Sequence, residues 1–125
     1  EVSTASLDDL VDTYCRAWSE PDADARRALL DQAWDEDGTC TDPLAEVAGR
    51  AGLHAHIGAS FADFPGMVIT ATSAVDVHHD KGRFTWQLTL PDGSVPVAGT
   101  DFVQVTTEGK IRSIVGFFGP LAPKA

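Results

Sequence analysis

The segment "VAGTDFVQVTTEGKIRSIVGFFG", residues 97–119, contains two alternating strands joined by a turn at Glu108-Gly109. In the first strand, alternate positions share one face: Val97, Gly99, Asp101, Val103 and Val105. Upstream, "RFTWQLTL" (residues 83–90) alternates in the same way and precedes a second turn at Asp92-Gly93. "MVITATSAVDVHH" (residues 67–79) predicts one further strand. Successive hairpins of this kind predict an antiparallel meander with one face covered.

Three other segments space their apolar residues as amphipathic helices do. They are "SLDDLVDTYCRAWSE" (residues 6–20), "ADARRALLDQAW" (residues 23–34) and "LHAHIGASFADF" (residues 53–64). The acidic "DEDG" (residues 35–38) predicts a solvated turn, and "GTCTDP" (residues 38–43) predicts a short strand. Helices that largely precede a meander indicate an α+β fold. A twisted sheet that curls around three helices would enclose a conical pocket.

Length and charge restrict the class of protein. The 125 residues suit a single domain spanning 1–125, which would bury about two-thirds of its unfolded surface. Nine basic against 19 acidic residues give a net charge of −10, which disfavours nucleic acid and anionic membranes as partners. We find no signal-peptide pattern in "EVSTASLDDL" and no apolar run of the roughly 20 residues that a membrane span needs. We therefore expect a cytoplasmic protein whose two cysteines, Cys15 and Cys40, are reduced.

Three polar side chains occupy positions where the pattern favours apolar ones. Asp101 interrupts the apolar face of its strand, Tyr14 lies in the apolar stripe of the first helix, and Asp42 ends the short strand. Tyr14 could instead be a core tyrosine with a bonded hydroxyl, and Asp42 a turn residue before Pro43. For Asp101 the alternative is an ion pair with one of three arginines: Arg50, Arg83 or Arg112. An unpaired buried carboxyl group would stay protonated and therefore uncharged.

Three stretches together resemble the bacterial ketosteroid isomerases: "LVDTYCRAW" (residues 10–18), "WDEDGTCTDPLA" (residues 34–45) and the segment 97–119. The resemblance covers nearly the whole chain and is shared with the SnoaL-like members of the nuclear transport factor 2-like superfamily. It implies a cystatin-like, cone-shaped roll, in which a strongly curved antiparallel sheet wraps around three helices and encloses a deep pocket. It also implies a homodimer.

The resemblance assigns roles to the three polar residues. Asp42 would be the base that moves a proton, and Tyr14 and a protonated Asp101 would form an oxyanion hole. Shifting a carbon–carbon double bond into conjugation with a ketone requires removal of a proton beside the carbonyl and its return two carbons away. The two donors would stabilise the enolate oxygen in between. The expected activity is that of a steroid delta-isomerase acting on a small hydrophobic ketone, polycyclic ketones included.

Two other interpretations remain open. Relatives with the same residue pattern include SnoaL-like polyketide cyclases, dehydratases and epoxide hydrolases, so Asp42 and Asp101 could serve as acid and base on a polyketide-like ligand. A non-catalytic ligand-binding or dimerisation module would instead have a pocket filled by its own tryptophans and an Asp101 paired with an arginine. Fold alone does not distinguish these functions.

The predicted lining of the pocket is mostly aromatic. It comprises Trp18, Trp34, Cys40, Phe61, Trp86, Val103 and Phe117. Core packing is the alternative for each tryptophan. The four histidines lack the spacing of a zinc site, so we predict neither a metal nor another cofactor. Three residues of the later strands would point outward and suit a dimer contact, or would instead pack against the helices or the C-terminal "GPLAPKA": Phe102, Ile114 and Phe118.

Overall fold

The computed structural model describes residues 4–125, so the first three residues of the segment tested for a signal peptide lie outside it. The helices are α1 (Thr4–Trp18), α2 (Ala23–Ala33) and α3 (Arg50–Asp63). The strands are β1 (Trp34–Asp42), β2 (Ala45–Ala48), β3 (Val68–Ala71), β4 (Asp76–His78), β5 (Lys81–Thr89), β6 (Val97–Val105) and β7 (Ile111–Phe118). They form one sheet in the order β2-β1-β7-β6-β5-β3, and β4 also pairs with β5. The predicted α+β roll is confirmed.

The sheet is mixed rather than purely antiparallel. β5, β6 and β7 form the predicted antiparallel meander, but β1 pairs with β7 in parallel. β1 can reach this position because α3 and the strands β2 to β6 lie between it and β7 along the chain. Parallel neighbours need such a long connection. The pairing places the end of β1 beside the centre of β7.

Local chemistry fixes where the helices begin and end. Asp22 caps α2 by accepting a 2.8 Å hydrogen bond from the Ala25 amide. Gly49 precedes α3 with a φ of 82°, a conformation that favours glycine. Ser19 Oγ accepts a 2.8 Å bond from the Ile69 amide, which ties the end of α1 to β3. The helices bury apolar residues that contribute about 1.5–3 kcal/mol each: Leu7, Val11, Leu30, Leu53 and Ile57.

Two local predictions are wrong. Residues 35–38 are not a solvated turn, because β1 begins at Trp34 immediately after α2. Gly38 is needed there, since a Cβ at that position would lie 2.5 Å from Trp34 Nε1. Residues 67–79 form two short strands, β3 and β4, instead of one. Pairing with β5 divides them, because β3 pairs with its second half and β4 with its beginning.

A bulge in β7 reverses which residues face the core. Val105 pairs with Ile111, whereas Gln104 pairs with Ser113, so β7 carries one extra residue at this point. Because side chains alternate along a strand, the extra residue exchanges the two faces beyond it. The inner face therefore carries Ile114, Gly116 and Phe118, and the outer face carries Val115 and Phe117.

This reversal corrects the outward-facing set. Phe102 is 45% exposed on the outer face, as predicted. Ile114 and Phe118 point inward, and the prediction was wrong for both. Val115 and Phe117 take their places beside Phe102, and the Phe102 and Phe117 rings meet edge to face at 6.1 Å.

Candidate active site

A cavity of about 310 Å³ lies between α1, α3 and the inner face of the sheet. Most of its wall is apolar: Trp18, Met67, Phe84, Leu88, Val97 and Phe118. Tyr14, Asp42 and Asp101 all line it, so the structure brings the three predicted catalytic residues to one cavity. A largely apolar cavity with a few convergent polar groups is the usual form of a small-molecule site.

Asp101 lies at the centre of β6 and is 7% exposed. Its Oδ1 accepts a 2.8 Å hydrogen bond from Trp86 Nε1. None of the arginines considered as partners reaches it in the described residues: Arg50 binds the Trp34 carbonyl and Asp31, Arg83 binds Asp76, and Arg112 lies on the exposed face of β7. Burial raises the pKa of Asp101 to about 7, against the Trp86 hydrogen bond, which lowers it. The charge of Asp42 raises it further.

Tyr14 forms another part of the inner end of the cavity. Its ring stacks on Trp34 with centroids 5.4 Å apart, and its hydroxyl lies 3.8 Å from Cys40 Sγ. Burial raises the pKa of Tyr14 well above its ordinary value, and the thiol of Cys40 and the charge of Asp101 add to the rise. The neighbouring Trp18 indole is the one group that lowers the pKa of Tyr14. This effect is small, because Trp18 Nε1 makes no hydrogen bond within the described residues. Tyr14 therefore stays protonated, and its hydroxyl group can donate a hydrogen bond to a ligand.

Asp42 has a different environment. It ends β1, and its Oδ1 accepts hydrogen bonds from the amides of Leu44 at 2.9 Å and Ala45 at 3.1 Å. These bonds hold the turn at Pro43 and Leu44, so the turn interpretation and the cavity interpretation both apply to Asp42. Its Oδ2 has no protein donor among the described residues, which leaves that oxygen available to a ligand.

Gly116, which the sequence analysis did not select, separates the two carboxyl groups. A Cβ on Gly116 would lie 2.6 Å from Asp101 Oδ1 and 3.6 Å from Asp42 Cβ. The space between the two acids therefore depends on the absence of a side chain at this position. Glycine within a strand often marks such a close approach, so its place in β7 was the available signal.

The predicted lining is only partly brought to the cavity. Trp18, Cys40 and Trp86 line it. Trp34 does not, because it lies behind Tyr14 and is fully buried in the core. The structure adds three polar residues of α3 that the sequence analysis did not select: His56, Ser60 and Asp63.

Three more predicted lining residues lie elsewhere. Phe61 packs against Arg26, whose guanidinium carbon lies 5.9 Å from the centroid of the Phe61 ring. Val103 pairs with Gly82 in the part of the core beneath the start of α1. Phe117 is 58% exposed on the outer face of β7, because of the bulge described above.

The two thiols are free and buried. Burial raises the pKa of both Cys15 and Cys40 to about 12, so neither is a thiolate at neutral pH. A nucleophilic role would require the thiolate. Between residues 4 and 125, no three His, Cys, Asp or Glu side chains come together as a metal site would require. The chemistry that the site offers is proton transfer.

The fold and the cavity define a small α+β protein of the cystatin-like type whose interior cavity carries the hydroxyl group of Tyr14 and the carboxyl groups of Asp42 and Asp101. The SnoaL-like domain family matches residues 11–114, and the chain belongs to that family, within the nuclear transport factor 2-like superfamily. No curated protein sequence matches it. No helix within residues 4–125 is long and apolar enough to cross a membrane.

Solved structures agree with this assignment. A presumed isomerase of the SnoaL-like family from Agrobacterium tumefaciens is 40% identical, with a TM-score of 0.83 over 89% of this chain and 95% of that one. A presumed polyketide cyclase from Sinorhizobium meliloti is 21% identical, with a TM-score of 0.69 over 92% and 99%. A protein of unknown function with a cystatin-like fold from Methylobium petroleophilum is 18% identical, with a TM-score of 0.77 over 99% and 81%. The last two support the fold alone.

Proposed function

We propose that this protein is an isomerase that moves a carbon–carbon double bond into conjugation with a ketone through an enolate. The observation that carries the proposal is the grouping of one available carboxylate, Asp42, with two buried proton donors, Tyr14 and Asp101, in a cavity that is otherwise mostly apolar. The Agrobacterium relative, itself described as a presumed isomerase, favours the same class of reaction.

The reaction would use Asp42 twice, and Tyr14 and Asp101 throughout the life of the enolate. Asp42 Oδ2 removes the proton from the carbon between the carbonyl and the double bond, and the electron pair moves onto the carbonyl oxygen. Tyr14 and Asp101 donate hydrogen bonds to that oxygen while it carries charge. The enolate then takes the same proton back from Asp42 two carbons further along. The product is the conjugated ketone, and no other reactant is consumed.

The Trp86 hydrogen bond lowers the pKa of Asp101, but it also determines which oxygen carries the proton when burial keeps the acid neutral. Because Trp86 Nε1 donates to Oδ1, that oxygen acts as the acceptor. The proton of the neutral acid is then held on Oδ2, which is free to donate. Edge-to-face contact with Phe118 at 5.6 Å, and Gly99 directly opposite on β6, hold the indole in place.

The two features expected of a non-catalytic module are missing, which supports the proposal of an enzyme. That interpretation required a pocket filled by tryptophans and an Asp101 paired with an arginine, and the cavity and the Asp101 contacts meet neither condition. The cavity volume of about 310 Å³ lies at the lower end of the range for ligand sites, which supports a compact ligand.

The test is turnover of a β,γ-unsaturated bicyclic ketone, followed by the ultraviolet absorbance of the conjugated product. Asp42→Asn should lower kcat by about 10²–10⁴-fold, because the variant lacks a base. Asp37→Asn is the matched control, since it removes the same charge from an exposed site in β1 outside the cavity. An unchanged rate in Asp42→Asn would remove Asp42 from the mechanism. Turnover of epoxides or polyketide mimics in place of ketones would favour the hydrolase or cyclase alternatives.

We also propose a homodimer that packs the outer faces of two sheets together. Phe102, Val115 and Phe117 form an exposed apolar patch there. A two-fold contact would bury the same patch on both copies. Sedimentation should give a dimer for the parent chain and a monomer for Phe117→Ser. A monomeric parent chain would contradict this arrangement.

A further inference from the structure

The side of α3 that faces the cavity is polar. His56, Ser60 and Asp63 all line the cavity, and their spacing of four and three residues places them on one side of the helix. We call these residues the α3 polar row. We propose that the row is a second subsite, which binds a hydroxyl group at the end of the substrate remote from the ketone. The inference rests on the proposed function and specifies its substrate class as hydroxyketones.

The polar residues that line the cavity differ in exposure. Tyr14 and Asp101, at 4% and 7% exposed, are buried, and we call their part of the cavity the inner end. Leu44, at 72%, and the exposed Asp63 lie at the mouth. Met67, Phe84 and Leu88, all at least nine-tenths buried, form part of the apolar wall. A matching ligand therefore has a polar group at each end and an apolar body.

The position of Asp63 is unfavourable for helix stability. It is the last residue of α3, where carbonyl groups without intrahelical partners make a negative charge destabilising. The last turn contains no basic residue, and Asp63 forms no ion pair among the described residues. The carboxylate of Asp63 therefore does not stabilise the end of α3 and is left available to a ligand in the cavity.

The hydrogen-bonding capacity of the row selects the type of ligand group. Ser60 Oγ already donates to the His56 carbonyl at 2.9 Å, so its oxygen remains as an acceptor. Asp63 contributes only acceptors when ionised. The His56 ring meets Trp18 edge on at 5.7 Å and makes no hydrogen bond among the described residues, so it can accept or donate. A row dominated by acceptors fits a ligand group that donates, as a hydroxyl group does.

Two planar phenols test the subsite directly. 2-Naphthol mimics an enolate at the inner end only, whereas 2,6-dihydroxynaphthalene adds a hydroxyl group at the opposite end. By calorimetry, the parent chain should bind the diol about five- to tenfold more tightly, beyond the statistical advantage of a symmetric ligand. Asp63→Ala, which removes the acceptor, should lose most of this difference and keep its affinity for 2-naphthol. The control Asp37→Asn should keep the difference.

The outcomes separate the subsite from the proposed function. Equal affinities of the parent chain for the two phenols, or a preference that survives in a His56→Phe/Asp63→Ala double variant, would overturn the subsite alone. Loss of 2-naphthol binding in Tyr14→Phe would still support the oxyanion hole in that case. If neither phenol bound the parent chain, both proposals would be overturned.

Discussion

Asp42 and Asp101 are two carboxyl groups on one cavity, but the structures around them differ. Asp42 ends a strand, accepts two backbone amides and stays partly open to solvent. Asp101 lies inside the sheet, accepts one indole N–H group and is nearly sealed by apolar side chains. Under the proposed function, the same functional group serves as a base in one place and as a hydrogen-bond donor in the other, because burial holds the proton on Asp101.

The largest expected effect concerns stability. The pKa of Asp101 is raised from 3.8 to about 7, so folding holds its proton more tightly than the unfolded chain does. This contribution is fully present below about pH 4 and is lost as the pH rises through about 7, by up to about 4 kcal/mol near pH 9. Urea unfolding should show that loss in the parent chain relative to Asp101→Asn. Parallel pH profiles would mean that Asp101 titrates normally.

The next largest effect separates a donor from a charge at position 101. Asp101→Leu should lower kcat by about 10²–10³-fold, because the enolate loses a hydrogen bond. Asp101→Asn can still accept from Trp86 and donate to the ligand, so it should keep most of the activity and retain it above pH 8. Steady-state kinetics across pH checks both. An Asn variant as inactive as the Leu variant would contradict a neutral donor.

A smaller effect is expected from closing the space between the two acids. A Cβ at position 116 would press on Asp101 Oδ1, and displacement of a catalytic group by about 1 Å can cost up to about 10²-fold in rate. Gly116→Ala should therefore lower kcat by roughly tenfold or more. Gly52→Ala is the control, since no atom lies within 4 Å of its added carbon. If both variants kept the parent rate, the spacing of the acids would not matter.

The smallest effect concerns the basic limb of the pH profile. Trp86→Phe removes a hydrogen bond that favours the ionised form of Asp101, so its pKa should rise by roughly one pH unit. The basic limb of kcat/KM should move upward by the same amount. Other titratable groups line the same cavity as Asp101. They are Tyr14 and Cys15 of α1, Cys40 and Asp42 of β1, and His56 and Asp63 of α3.

The control for this prediction is Trp18→Phe, which removes an indole from the same cavity without touching the Asp101 hydrogen bond. Its basic limb should stay in place. A downward movement in Trp86→Phe would show that the indole does not stabilise the carboxylate.

The sequence predicts the parts of this site that follow from local patterns, and it does not predict the parts that depend on pairing between distant strands. Asp101 could be found because a period of two sets an acid among apolar positions, and the environment of that position is the same in the structure. Phe117 and Phe118 were assigned to the wrong faces, because the bulge at Ile111–Ser113 arises from pairing with β6 and leaves no mark on alternation. The composition of residues 35–38 predicts a turn, because it does not show that Trp34 and Thr39 on either side of them both pair with β7.

The structure also adds pairings that span distant parts of the chain. Trp86 and Asp101 occupy different strands, and they meet because β5 and β6 bring Gly99 opposite the indole. The α3 polar row has a spacing that a search for polar helix faces would have found. That signal was available, whereas the Trp86 contact depends on strand register.

The measurement that tests the central claim most directly is the titration of Asp101 itself. Aspartate labelled at the carboxyl carbon, with the resonance assigned by its loss in Asp101→Asn, reports the charge of that group by NMR as the pH changes. We expect a midpoint at about 7, with a large neutral fraction at physiological pH. A midpoint near 3.8, the value of a solvated aspartate, would show that the group is an anion in the folded protein and would contradict its role as a proton donor.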